Sequence, residues 1–77
     1  MKDLVIIGAG GVGRETAMLV EQINQVSHEW NLLGFLDDND KLHETIINGY
    51  KVLGGVKQAG HYKEAYAVCA IANHDVR

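Results

Sequence analysis

The chain has 77 residues, 47% of them hydrophobic, and a formal net charge of −3 with histidine neutral. That length holds at most one small domain, which buries only about 60–65% of the surface its unfolded chain exposes. The apolar content excludes a disordered chain, no basic cluster offers a nucleic-acid face, and no apolar run approaches a membrane span. The four histidines (His28, His43, His61, His74) are scattered, and none sits at metal-ligand spacing from the single cysteine, so no metal is expected. Cys69 lies within an apolar run and is expected to be a buried, reduced thiol. Met1 leads at once into an apolar strand, which leaves no room for a signal peptide. A cytoplasmic protein without membrane contact is the resulting expectation.

The first strand is read at Leu4 to Ile7, a continuous apolar run that suits a parallel strand covered on both faces. It runs straight into Gly8, Gly10 and Gly13, a G-x-G-x-x-G set, and the chain then turns helical. Each glycine has a physical task. Gly8 allows a tight exit from the strand, Gly10 lets a phosphate approach the backbone, and Gly13 lets the helix pack close to the strand. The free N–H groups of the first helical turn and the positive end of its dipole would face that phosphate, bound above Gly10 and Gly11. The alternative is a strand-to-helix turn that holds no ligand. The helix is expected from Val12 or Gly13 to about Val26. Val12, Thr16, Leu19, Val20, Ile23 and Val26 are expected to face the sheet, with Arg14, Glu15, Glu21, Gln22 and Gln25 in water.

Polar residues from Asn24 to Glu29 end the helix, and Trp30 is expected to cap an edge of the core. The second strand is read at Asn31 to Leu36, stopped by Asp37, Asp38, Asn39 and Asp40. Two strands around one helix form a right-handed βαβ unit, so both strands end at the same sheet edge. Asp37 and Asp38 thereby come near the glycine turn. An acidic residue about 20 positions past such a motif grips ribose hydroxyls in this kind of fold. The alternative for the pair is a solvated acidic turn.

Asn48-Gly49 is a hairpin signal between Thr45–Ile47 and Tyr50–Leu53, giving a small two-stranded flap that Gly54-Gly55 breaks. Val56 to about Tyr62 has the makings of a short helix. Tyr50, Tyr62 and Tyr66 read as packing residues, and Lys51 and Lys57 as a solvated face. The third strand is read at Ala65 to Ala72, small and apolar, and is expected in the middle of the sheet. Asn73 is an expected N-cap that overlooks the same crevice, with His74 beside it as a ligand contact or bystander. The fold class expected is α/β: a Rossmann-like three-layer fold with a short, mostly parallel sheet, part of a doubly wound domain. Such a sheet normally continues, so the 77 residues are expected to be the N-terminal part of a longer polypeptide.

These residues resemble the PglD-like N-terminal domain of bacterial sugar O- and N-acyltransferases, the sialic acid O-acetyltransferase group. The likeness is carried by V-I-I-G-A-G-G-V-G at Val5 to Gly13, L-L-G-F-L-D-D-N at Leu32 to Asn39, I-N-G-Y-K-V-L-G-G at Ile47 to Gly55 and A-I-A-N-H-D-V-R at Ala70 to Arg77. It implies a domain that holds a UDP-linked amino sugar or related sugar. A following left-handed β-helix of hexapeptide repeats would bind acetyl-CoA, carry the catalytic histidine and form a homotrimer. This chain would then hold no cofactor and no catalytic residue of its own. By the resemblance, Gly8, Gly10, Gly11 and Gly13 would take the diphosphate, Asp37 and Asp38 would meet the ribose or uracil, and Asn73 would line the crevice. The sequence departs from the family where Val12 replaces a common histidine, and where Ala72, Asn73 and His74 replace G-N-N. The competing functions are an NAD-binding module of a dehydrogenase or regulatory protein, which the glycine motif and Asp37 fit equally, and a domain that only mediates assembly.

Overall fold

The computed structural model describes residues 2–70 of the chain. Strand β1, Lys2–Ile7, leads through the glycine turn into helix α1, Gly11–Val26, and on to strand β2, Trp30–Leu36. A 3₁₀ turn at Asp40–Leu42 precedes two short strands, β3 at Ile46–Ile47 and β4 at Tyr50–Gly54. A 3₁₀ helix at Val56–Tyr62 follows, and then strand β5, Tyr66–Cys69. The sheet runs β3-β4-β2-β1-β5, parallel throughout except for the β3–β4 pair. This is the small, mostly parallel Rossmann-like α/β domain the sequence indicates. Among the described residues, no helix is long and apolar enough to cross a membrane.

Side chains alternate along each strand, and the alternation divides the core between two faces. Leu4, Ile6, Leu32, Phe35 and Val52 pack with Ala17 and Val20 of α1 on one face. Leu36 and Gly54 are paired in register and belong to the other face, where the Gln58 side chain of the 3₁₀ helix lies against Gly54. Of the residues its apolar spacing indicates, only Val20 is buried and Thr16 half-buried. Gly13, Ala17 and Val20 are buried, whereas Leu19 is 58% exposed, Ile23 45% and Val26 90%. Val12 is exposed as well.

The physical reason lies at the start of the helix. A Cβ at Gly13 would collide with the Gly8 carbonyl, so Gly13 must face the turn, and that sets the rotation of the whole helix. Hydrogen bonds then hold the flank toward β4. The Tyr50 hydroxyl donates to Glu21 Oε2 at 3.2 Å, and Asn48 Nδ2 donates to the Arg14 carbonyl at 3.3 Å. Burial, and then the Glu21 charge, raise the Tyr50 pKa above its ordinary value. Asn24 is half-buried and ties the end of α1 to β2. Its Oδ1 accepts the Glu29 and Trp30 amides, and its Nδ2 donates to the Trp30 carbonyl. Leu19, Ile23 and Val26, named for the sheet face, are thus left exposed.

The hairpin turn has Asn48 at φ 53° and Gly49 at φ 85°, both left-handed, as a two-residue turn of this type requires. It is not a detached flap. β4 pairs in parallel with β2 and so extends the main sheet. Lys51 of this hairpin pairs with Glu44 at 2.8 Å across its exposed surface.

Strand β5 departs from expectation in both position and burial. It pairs with β1 at the edge of the sheet, not in the middle, and all four of its residues are exposed. Cys69 is therefore an exposed thiol and not a buried one. An apolar run records a capacity for cover, and among the described residues β1 is the sole strand beside β5. Tyr66 packs edge-on against Trp30, with ring centroids 5.5 Å apart, and Lys2 Nζ lies 5.3 Å from the Trp30 ring. Trp30 thus caps the core edge as its sequence position indicates. Ile71 and Ala72, read as the end of this strand, lie outside the described residues.

Gly13→Ala is expected to lower stability in urea unfolding by about 1–3 kcal/mol, because the backbone must move to admit the methyl group. Gly10 meets open space, so Gly10→Ala is expected to change stability by less than about 1 kcal/mol. Equal losses at the two positions would contradict the close approach of α1 to the turn.

Candidate functional site

The site forms where β1 and β2 end at one edge of the sheet. Gly8 donates its N–H to the Leu36 carbonyl at 2.7 Å, so the turn continues the β1–β2 ladder. Its φ of 107° lies in the region that favours glycine, and the chain folds back there into α1. Gly10 is the N-cap residue of α1 at φ −79°, and no side chain caps the helix. The first intrahelical bond runs from the Arg14 amide to the Gly10 carbonyl at 3.0 Å. The amides of Gly11, Val12 and Gly13 precede that bond, so they have no partner within the helix. A Cβ at Gly10 or Gly11 would meet nothing within 4 Å. The result is a small patch of backbone donors at the positive end of the helix dipole, exposed at Gly11 and Val12. Val12 stands exposed in the first turn of α1.

Asp37 follows the last residue of β2 and is held at every polar atom. Its amide donates to the Gly54 carbonyl at 2.8 Å, and its carbonyl accepts His43 Nε2 at 2.7 Å. Oδ1 accepts the Asn39 amide at 2.8 Å. Oδ2 accepts the Ala9 amide, also at 2.8 Å, and so bridges the strand end to the glycine turn.

Asp38 turns the other way, as adjacent residues at a strand end do. It is exposed, and its Oδ1 accepts the Val56 amide at 2.8 Å, at the start of the 3₁₀ helix. Gly55 lies beneath it, where a Cβ would stand 2.9 Å from Oδ1. Gly8, Leu36, Asp37, Asp38 and Val56 line a cleft of about 170 Å³ between the two carboxylates and the turn.

The structure thus brings Gly8, Gly10, Gly11, Val12, Gly13, Asp37 and Asp38 to one edge. Asn73 and His74 lie outside the described residues. Three participants escaped the sequence reading. His43 gave no signal, because its partner is a backbone carbonyl. Val56 takes part through its amide. Gly55 was visible only as half of a doublet that ends a strand, and its fit beneath Asp38 gives that doublet a second meaning.

A parallel sheet, a glycine turn opening an uncapped helix and an acidic strand end beside it define a Rossmann-like α/β domain. A family model, the PglD N-terminal domain, matches residues 3–77. The chain belongs to that family and is an N-terminal domain of the sugar acetyltransferase type. No curated protein matches the chain.

Gly55→Ala is expected to push Asp38 off the Val56 amide without unfolding the domain. Hydrogen exchange read by NMR should show the Val56 amide exchanging faster, with the β1 and β2 amides unchanged. Unaltered exchange at Val56 would show that Asp38 does not depend on that glycine.

Proposed function

We propose that this chain is the nucleotide-sugar-binding domain of an acetyl-CoA-dependent sugar O- or N-acetyltransferase. The ligand is a UDP-linked amino sugar or a related sugar. The single observation that carries this reading is the pairing of open backbone donors with an acidic strand end. The amides of Gly11 to Gly13 have no partner within the helix, there is space above Gly10 and Gly11, and the Asp37–Asp38 end of β2 is tied to the same turn. Backbone donors at a helix start suit a pyrophosphate, and carboxylates beside them suit hydroxyl groups. Membership of the PglD N-terminal family supports the sugar-modifying context.

In this reading the acyl-transfer chemistry belongs to a following left-handed β-helix domain. That domain binds acetyl-CoA and assembles the parent enzyme as a trimer. A base there takes the proton from the sugar's amine or hydroxyl as it attacks the thioester. The domain described here contributes position, which lowers the barrier by holding the acceptor atom near the acetyl group. The setting is cytoplasmic synthesis of a bacterial surface glycan or sialic acid.

Calorimetry with UDP, a UDP-amino sugar and NADH tests the proposal. Binding of the uridine ligands without NADH is the expected result. Binding of NADH with silence from UDP would replace the proposal with a nicotinamide-binding module. Gly10→Val is expected to weaken UDP-sugar binding by about a hundredfold or more, since each lost charge-assisted contact removes roughly 1.5–3 kcal/mol. A Cβ at Gly10 meets nothing within 4 Å, so circular dichroism should be unchanged. Normal binding by this variant would place the phosphate elsewhere.

A further inference from the structure

We propose that Asp37 is a positioning residue, an internal anion that holds the glycine turn and is itself held by His43, and that ligand discrimination falls to Asp38. The ligand half of this inference rests on the nucleotide-sugar reading above. The two carboxylates are neighbours in sequence but have different surroundings. Asp37 is half-buried, and each of its carboxylate oxygens already accepts a backbone amide, from Asn39 and from Ala9. Asp38 is exposed, and its Oδ2 has no hydrogen bond among the described residues. A carboxylate bonded to two amides is a poor reader of a further donor, because turning toward a ligand costs it an existing charge-assisted bond.

Electrostatics point the same way. The Asp37 charge sits on the Ala9 amide, one residue before Gly10. A pyrophosphate beside Ala9 would be repelled, so the phosphates are confined to the Gly11–Gly13 side of the turn. That leaves the ribose over the cleft that Asp38 also lines.

His43 completes the device. A carbonyl only accepts, so His43 Nε2 must carry the hydrogen of the 2.7 Å bond to the Asp37 carbonyl. Its Nδ1 lies 3.7 Å from Asp40 Oδ1 on the outer side. The imidazole therefore spans from the 3₁₀ turn at Asp40–Leu42 to the end of β2 and fixes the backbone that aims Oδ2 at Ala9.

Two measurements test this. The first needs no ligand: amide exchange at Ala9, read by NMR, in the unaltered chain and in Asp37→Asn, Asp38→Asn, His43→Leu and His43→Gln. Exchange should quicken about tenfold in Asp37→Asn and His43→Leu, the scale of one lost charge-assisted bond. It should stay unchanged in Asp38→Asn and be restored in His43→Gln, whose amide keeps a donor. Unchanged Ala9 exchange in Asp37→Asn would overturn the positioning role.

The second measurement compares UDP with 2′-deoxy-UDP by calorimetry. Asp38→Asn should abolish the preference for the ribonucleotide, whereas Asp37→Asn should weaken both ligands by the same factor. The reverse pattern would make Asp37 the ligand contact and overturn the assignment. If the unaltered chain binds neither nucleotide, the nucleotide-sugar reading fails together with the role given to Asp38. The Ala9 exchange data then decide the Asp37–His43 part by themselves.

Discussion

One hydrogen bond, from the Ala9 amide to the Asp37 carboxylate, ties the exit of the first strand to the end of the second across 28 residues of chain. It runs from a neutral donor to a charged acceptor, in the stronger class of protein hydrogen bonds. Most of the local geometry around the site refers to it. Gly8 turns the chain at a positive φ so that the Ala9 amide faces β2. Gly13 then admits the Gly8 carbonyl against the helix, which fixes how far α1 is rotated. The placing of the unpartnered Gly11 to Gly13 amides follows from these constraints. The proposed binding edge is therefore a property of backbone positions more than of side chains.

That origin accounts for a helix buried on small residues. Gly13 and Ala17 allow α1 to lie close on the sheet, while Val20 and the half-buried Asn24 continue the contact toward β2. Leu19, Ile23 and Val26 are left on an apolar flank that lines a groove of about 370 Å³ with Gln22, Ser27 and Glu29. The largest fully buried side chains are Phe35, Ile6, Leu36, Val5 and Val52, all from the three adjacent strands β1, β2 and β4. The sheet is thus the rigid part of the domain, and the site sits on its edge. Rigid strands that end together place loop amides and carboxylates more accurately than a free loop would.

The parts of this arrangement that were legible in the sequence are those whose cause is local. Gly8 and Gly13 are read correctly as the turn and the close approach: Gly8 turns at a positive φ, and a Cβ at Gly13 would meet the Gly8 carbonyl. Asp37 could be placed near the turn from strand order alone. The helix face could not. Val12, Leu19, Ile23 and Val26 satisfy a helical period, but a single backbone approach at Gly13 outweighs that pattern. The place of β5 was misread for a related reason: composition reports what a strand can bury, whereas its neighbours are decided by topology. His43 and Gly55 stayed hidden because their partners, the Asp37 carbonyl and the Asp38 carboxylate, carry no periodic signal.

In the proposed reading a ligand's phosphates lie over the amides at the start of α1. The groove of about 310 Å³ beside Glu21, Asn24, Gln25, His28 and Tyr50, on the β4 flank of the same helix, then has no role. Titrating ¹⁵N-labelled chain with UDP and following every backbone amide tests that claim most directly. The account expects the largest shifts at Gly10, Gly11, Val12 and Gly13, fading along α1. Shifts confined to Gln25, His28 and Tyr50, with the glycine turn silent, would contradict it.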